Sequence, residues 1–105
     1  MRPLPVPGVM NKTEARYAAH LEGLKQSGWI IDYSFESVKL RLAKKTFYAP
    51  DFFVVFHDHF EVHEVKGFWR DDARVKIKVA ARLFPYWKFQ AVQWKKKDWI
   101  FETIR

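Results

Sequence analysis

Two carboxylates and a lysine are the residues best placed to do chemistry. Around them the sequence reads as two strands, the first almost continuously apolar through Phe52, Phe53, Val54, Val55 and Phe56, the second running from Phe60 to Lys66. A two-residue turn at His57-Asp58 sets Val55 opposite Phe60, Phe53 opposite Val62, and Asp51 opposite Glu64. Side chains alternate across a strand, so these six share one face, and Lys66 joins them two positions beyond Glu64. A register slip of one residue would split the set. Like charges at facing positions are destabilising, and burial adds a penalty of roughly several kcal/mol per ion. Compensation comes either from Lys66 as a structural salt bridge or from a divalent cation. Two carboxylates completed by water suit Mg²⁺ or Mn²⁺. The residues alone leave both routes open.

The elements that must carry this hairpin follow from pattern. Asn11, with Glu14 three positions on, forms a capping box that starts a helix near residue 12. Ala15, Tyr17, Ala18, Ala19, Leu21 and Leu24 are its candidate apolar side, and Gly28 closes it. Trp29 to Phe35 opens the sheet. Val38, Leu40 and Leu42 alternate with Lys39 and Arg41, which predicts a strand with one buried and one basic face, ending at a Lys44-Lys45 turn. Thr46 to Phe56 reads as one central strand covered on both faces. Asp71 or Asp72 caps a second helix running to about Phe84, before Pro85. Two last strands flank the Lys95-Lys96-Lys97-Asp98 turn. The expected order is α-β-β-β-β-α-β-β: one α/β domain, of the α+β type with a mixed sheet, over residues 11–105. Residues 1–10, with alternating prolines, read as an extended arm.

Composition narrows the class. The 105 residues suit one domain, and a net charge of +7 favours an anionic partner, nucleic acid or an acidic membrane surface. At 49% hydrophobic and 18% aromatic, the chain is too apolar for a disordered basic tail. Absence of Cys excludes a disulfide-stapled fold and fits a reducing compartment. No apolar run approaches the roughly 18 residues of a membrane span, and no signal peptide is visible. One Asn, three Gln and two Met are few labile residues, a hint of a thermophilic source.

Pro50-Asp51, followed by Glu64-Val65-Lys66, resembles the motif of the PD-(D/E)xK nuclease superfamily. Asn11 to Tyr17, with the Leu-rich stretch leading to Gly28-Trp29, is similar to the opening helix of archaeal-type Holliday junction resolvases. The run from Glu64 to Arg74 resembles small phage-encoded members. The resemblance spans nearly residues 11–105 and implies a restriction-endonuclease-like core, a central mixed sheet flanked by two helices. It implies that Asp51 and Glu64 ligate the metal, with the Val65 carbonyl a third ligand. It gives Lys66 the attacking water or the developing phosphorane charge, and Glu14 a further ligand position. The capping box by itself also accounts for Glu14.

Other positions carry rival readings. Lys76 falls within the apolar arc of Ala73, Ile77, Val79, Ala80, Leu83 and Phe84. Its stem either snorkels past apolar neighbours or aims the ammonium at the carboxylates. His57 and His59 sit in the turn, and His63 faces away from Glu64, so a zinc site is disfavoured. His20 reads as a lone surface residue. Lys39, Arg41, Lys44, Lys45, Arg70, Arg74, Lys78, Arg82 and Lys95 to Lys97 are candidate phosphate contacts. Phe68-Trp69, in the loop after Gly67, is a subunit contact, a stacking group for unpaired bases or a core plug.

The expected function is a Mg²⁺-dependent structure-specific DNA endonuclease acting on branched DNA, a Holliday junction resolvase above all, with Mn²⁺ able to substitute. The sequence contains no base-reading module beyond the core, which disfavours a sequence-specific restriction enzyme. A four-way junction has approximate two-fold symmetry, so an isologous homodimer is expected. The expected location is the cytoplasm, of a phage's bacterial host or of a bacterium or archaeon. The alternatives are a less specific phage nicking or branched-DNA repair endonuclease and a non-catalytic DNA-binding module. Membrane association is disfavoured, since neither helix opposes a basic face to bulky aromatic anchors.

Overall fold

A computed structural model describes residues 9–66 and 71–105. Most of the proline-rich arm and the Gly67, Phe68, Trp69 and Arg70 positions lie outside the described residues. The elements run α1 (Lys12–Gln26), β1 (Asp32–Phe35), β2 (Leu40–Ala43), β3 (Thr46–Tyr48), β4 (Phe52–Val55), β5 (Phe60–Lys66), α2 (Asp71–Leu83), β6 (Lys88–Lys95) and β7 (Asp98–Ile104). Five strands form a mixed sheet in the order β1-β4-β5-β6-β7, in which β5 and β6 are parallel and the other pairs antiparallel. The chain is therefore a mixed α+β domain.

The helix boundaries follow the local chemistry. Asn11 accepts from the Glu14 N–H while the Glu14 carboxylate accepts from the Asn11 N–H, so the expected capping box closes. At the other end Gly28 takes φ +81°, its N–H reaching the Lys25 carbonyl and that of Trp29 the Leu24 carbonyl. This pair of bonds is a Schellman cap, which favours glycine. Asp71 and Asp72 lie in the first turn of α2 rather than at its cap. There they still complement the helix dipole.

The largest departure from pattern is at Pro50. The expected single strand from Thr46 to Phe56 is two, β3 and β4, separated by Ala49-Pro50-Asp51. Proline lacks the N–H a continuous ladder needs. Strand β3 pairs with β2 in a separate two-stranded hairpin, turning through Lys45 at φ 57°. The alternation expected on β2 holds: Leu40 is buried while Lys39 and Arg41 are exposed. The final turn is also as expected, with Lys96 (φ 52°) and Lys97 (φ 60°) both left-handed between paired Lys95 and Asp98.

Each sheet face has its own core. Tyr17 and Leu21 of α1 pack on Phe52, Val54, Val65 and Val92, with Met10 and Leu24 alongside. Ala15 and Ala19, expected inside, are exposed. Ile77 and Ala80 of α2 pack on Val62, Phe89, Ala91 and Ile104 together with Leu40 and Tyr48 of the small hairpin. The α2 arc also needs correction. Val79 and Leu83, expected inside, are 39% and 48% exposed, and with Val75 they form a second apolar stripe facing outward. The two stripes lie close on the helical wheel, so sequence periodicity merged them.

Candidate functional site

The β4–β5 register is the expected one: Val55 opposes Phe60 and Phe53 opposes Val62. Continued past the strand end it brings Asp51 to Glu64, and two backbone-to-carboxylate bonds brace them. The Asp51 N–H donates to Glu64 Oε1 at 3.1 Å, and the Val65 N–H donates to Asp51 Oδ2 at 2.8 Å. Each carboxylate is thus anchored by the backbone of the other's strand. Both residues are only 6% exposed. Lys66 Nζ lies 3.1 Å from Glu64 Oε2.

Electrostatics mark this pair as strained by charge. Burial, then the Glu64 charge, pushes the Asp51 carboxyl up to about 8, with Lys66 and the Val65 N–H pulling the other way and Glu14 adding to the rise. Burial draws Lys66 down, but the Glu64 and Asp51 charges outweigh it and raise the ammonium's pKa. One lysine therefore offsets only part of the repulsion. Hydrogen bonds occupy one oxygen of each carboxylate, Asp51 Oδ2 and Glu64 Oε1, and Glu64 Oε2 faces Lys66. A pair of this kind, buried and under-compensated, fits a hard divalent cation whose remaining ligands are water and a carbonyl. Among the described residues no three His, Cys, Asp or Glu side chains gather into a metal-holding group.

The other expected site residues are distributed as follows. Glu14 is half-buried and committed to its capping box, yet its charge is felt at both Asp51 and Lys66. Lys76 is exposed on α2 and lines a cavity of about 290 Å³ with Glu64, Lys66, Asp72, Ala73, Phe47, Tyr48 and Ala49. The lysine is thereby brought to the mouth of the carboxylate site. Lys39 caps the Phe47 ring at 4.7 Å, a cation–π contact beside the same cavity. Arg41, Lys44 and Lys45 are exposed on the β2–β3 hairpin, and Lys78 on α2. Arg74 is engaged by Glu102, donating to both its oxygens at 2.8 and 3.0 Å. Phe68, Trp69 and Arg70 fall outside the described residues.

Tyr48 was missed by sequence reasoning. Its hydroxyl donates to Glu64 Oε1 at 2.8 Å. On one unbroken strand Tyr48 and Asp51 would point to opposite faces; the break at Pro50 lets both reach Glu64. Only the buried proline, immediately before the motif aspartate, signalled it.

The opposite face of β5 carries a second polar group. His63 indeed points away from Glu64, and it is buried rather than lost in solvent. Its Nε2 bonds Glu61 Oε1 at 2.8 Å, while Nδ1 bonds the Tyr17 hydroxyl at 2.6 Å. Burial and then the Glu61 charge raise Tyr17, so the hydroxyl stays protonated. Glu61 Oε2 bonds His59 Nε2, and His59 Nδ1 bonds Asp58. His20 is no lone surface residue, since it stacks on Tyr17 at 5.5 Å and lies by Trp99 and Phe101. Parity puts His59, Glu61 and His63 on one face, but in sequence His59 reads as part of the turn and Glu61 is not singled out, so their bonding was not foreseen.

No family model matches the sequence, and neither a curated protein nor a solved structure is significantly similar to it. Among the described residues no helix is long and apolar enough to cross a membrane.

Proposed function

We propose that this chain is a Mg²⁺-dependent endonuclease of restriction-endonuclease-like fold that hydrolyses phosphodiester bonds in branched DNA, as a Holliday junction resolvase does. The observation that carries the reading is the cross-braced Asp51–Glu64 pair, buried together and only partly neutralised by Lys66. Asp51 and Glu64 would hold the ion, joined, on the resemblance, by the Val65 carbonyl and by Glu14 directly or through water. A bound ion supplies charge neutralisation and a more acidic water. Lys66 stands beside Glu64, where an ammonium can orient a water or meet charge developing on phosphorus. Lys76 at the cavity mouth is suited to a phosphate oxygen. The exposed cations of the β2–β3 hairpin, whose Phe47 and Tyr48 line the cavity, carry the sign a nucleic-acid backbone requires.

Two nicks related by a junction's two-fold axis call for an isologous homodimer. The exposed Val75, Val79 and Leu83 stripe on α2 supplies apolar surface of the kind such an interface buries.

The test is incubation with Mg²⁺ and labelled four-way, flap and linear duplex DNAs. Paired nicks in the four-way junction with little duplex cleavage are expected. Equal nicking of linear duplex overturns the resolvase reading and leaves a less specific nicking or repair nuclease. Junction binding with no cleavage in Mg²⁺ or Mn²⁺ leaves a DNA-binding module in which Lys66 is a structural partner of Glu64.

A further inference from the structure

We propose that Tyr48 is a positioning residue: its hydroxyl fixes which oxygen of Glu64 is offered to the cation and ties the metal site to the basic β2–β3 hairpin. The inference rests on the metal-site reading above and concerns a residue outside the motif that suggested it. Glu64 Oε1 accepts from the Tyr48 hydroxyl at 2.8 Å and from the Asp51 N–H at 3.1 Å, whereas among the described residues Oε2 meets the Lys66 ammonium, at 3.1 Å. Two donors on one oxygen stop the carboxylate from turning about its terminal bond. Oε2 is then the oxygen left to exchange an ammonium for a metal.

Tyr48 can do this because its ring is held by core packing. It is 7% exposed and packed with Leu40, Ile77, Ala80 and Val62 in the α2-side core. Facing a carboxylate oxygen at 2.8 Å, its hydroxyl serves as the donor. Outer-shell partners of this sort hold a ligand in its binding orientation, and their loss typically weakens metal affinity about tenfold to a hundredfold.

Tyr48 also belongs to the hairpin that carries Arg41, Lys44 and Lys45. Leu40 pairs with Tyr48 across that hairpin and Arg41 with Phe47, so the strands presenting cations to phosphate also present the hydroxyl to Glu64. A phosphate held on the hairpin would thus be linked to a metal at Glu64 through the Tyr48–Glu64 hydrogen bond. Thermodynamic linkage makes any such coupling reciprocal.

The test is calorimetric titration of the metal-free protein with Mn²⁺, for the wild type, Tyr48→Phe and Thr46→Ala. Tyr48→Phe removes one oxygen and keeps the ring. Thr46→Ala disturbs the same hairpin at its turn, where Thr46 Oγ1 donates to the Lys44 carbonyl, and leaves the hydroxyl in place. The expected result is Mn²⁺ affinity lowered by about tenfold or more in Tyr48→Phe and unchanged in Thr46→Ala. Cleavage by Tyr48→Phe should return toward the wild-type rate at saturating Mn²⁺. Equal affinity in Tyr48→Phe and wild type overturns the proposal, as does an equal loss in Thr46→Ala, which would mean that hairpin integrity alone matters. If the wild type binds no Mn²⁺, the reading of Asp51 and Glu64 as metal ligands falls, a result distinct from any that concerns Tyr48.

Discussion

The backbone N–H of Asp51 donates to a carboxylate oxygen of Glu64, a residue across the β4–β5 hairpin, at 3.1 Å. With the return bond from Val65 to Asp51, this makes the two acids a rigid pair whose spacing does not depend on side-chain chance. Rigidity has a consequence. The pair can neither reach water nor swing apart, so burial first and the Glu64 charge second raise the Asp51 pKa.

Replacing that charge should therefore stabilise the metal-free fold. A carboxyl raised from 3.8 to about 8 withdraws stability as pH climbs between those values, because the unfolded chain ionises first. Asp51→Asn keeps an oxygen for the Val65 N–H and removes the charge. At pH 8 in a chelator it should gain about 1–3 kcal/mol in urea unfolding. Mg²⁺ should raise the melting temperature of the wild type and leave the variant unmoved. A less stable variant would show that Lys66 already neutralises the pair.

The buried polar group on the α1 side should give stability its own pH dependence. Burial raises Glu61, but bonds from His63 and His59 outweigh it and hold the carboxyl below its ordinary 4.5. That contribution is present above pH 4.5 and is lost as pH falls through the lowered value. His59 is raised above 6.5 by its bonds to Glu61 and Asp58, so its share is complete below 6.5 and fades as pH rises through the raised value. The network is strongest between about 4.5 and 6.5. His20 runs the other way, lowered by burial first and then by His63, so the wild-type curve is a composite. The difference between wild type and Glu61→Gln isolates the network. That difference should peak at about 2 kcal/mol inside the window and shrink on both sides. A difference independent of pH would contradict the ionised assignment.

Lys76 offers a clean separation of chemistry from folding. It is exposed, so Lys76→Met should leave unfolding free energy within about 0.5 kcal/mol of wild type. If the ammonium meets a phosphate oxygen at the cavity mouth, junction cleavage should fall by about tenfold or more, equivalent to about 1.4 kcal/mol in the barrier. Single-turnover rates at saturating enzyme decide it. An unchanged rate assigns Lys76 to the solvated face of α2.

Salt dependence reports on the hairpin cations. Lys44 and Lys45 are exposed at the β2–β3 turn. If both contact phosphates, the double alanine variant should reduce the slope of log affinity against log salt by about 1.8 for duplex arms. A parallel shift with no change of slope would place them outside the DNA footprint.

How far the residues themselves reach can be judged element by element. Asn11 with Glu14, Gly28, and the His57-Asp58 turn are local signals, and the capping box, the Schellman cap and the Asp51–Glu64 pairing all follow from them. Period-two alternation sorted His63 from Glu64 onto opposite faces, because in a pleated strand facing is a matter of parity alone. Tertiary structure decided what parity and helical period cannot encode. It decided that the chain breaks at Pro50, which sends Tyr48 to Glu64. It placed one α2 stripe on the sheet and left the Val75, Val79 and Leu83 stripe outside. It drew Glu61 between two histidines, and it paired Arg74 with Glu102. Each of these depends on how separate elements pack against one another, and packing is set by shape and volume across the whole domain. The net charge of +7 and the Asp51–Glu64 pairing were legible in the sequence; that Glu61 is buried between two histidines was settled by the fold.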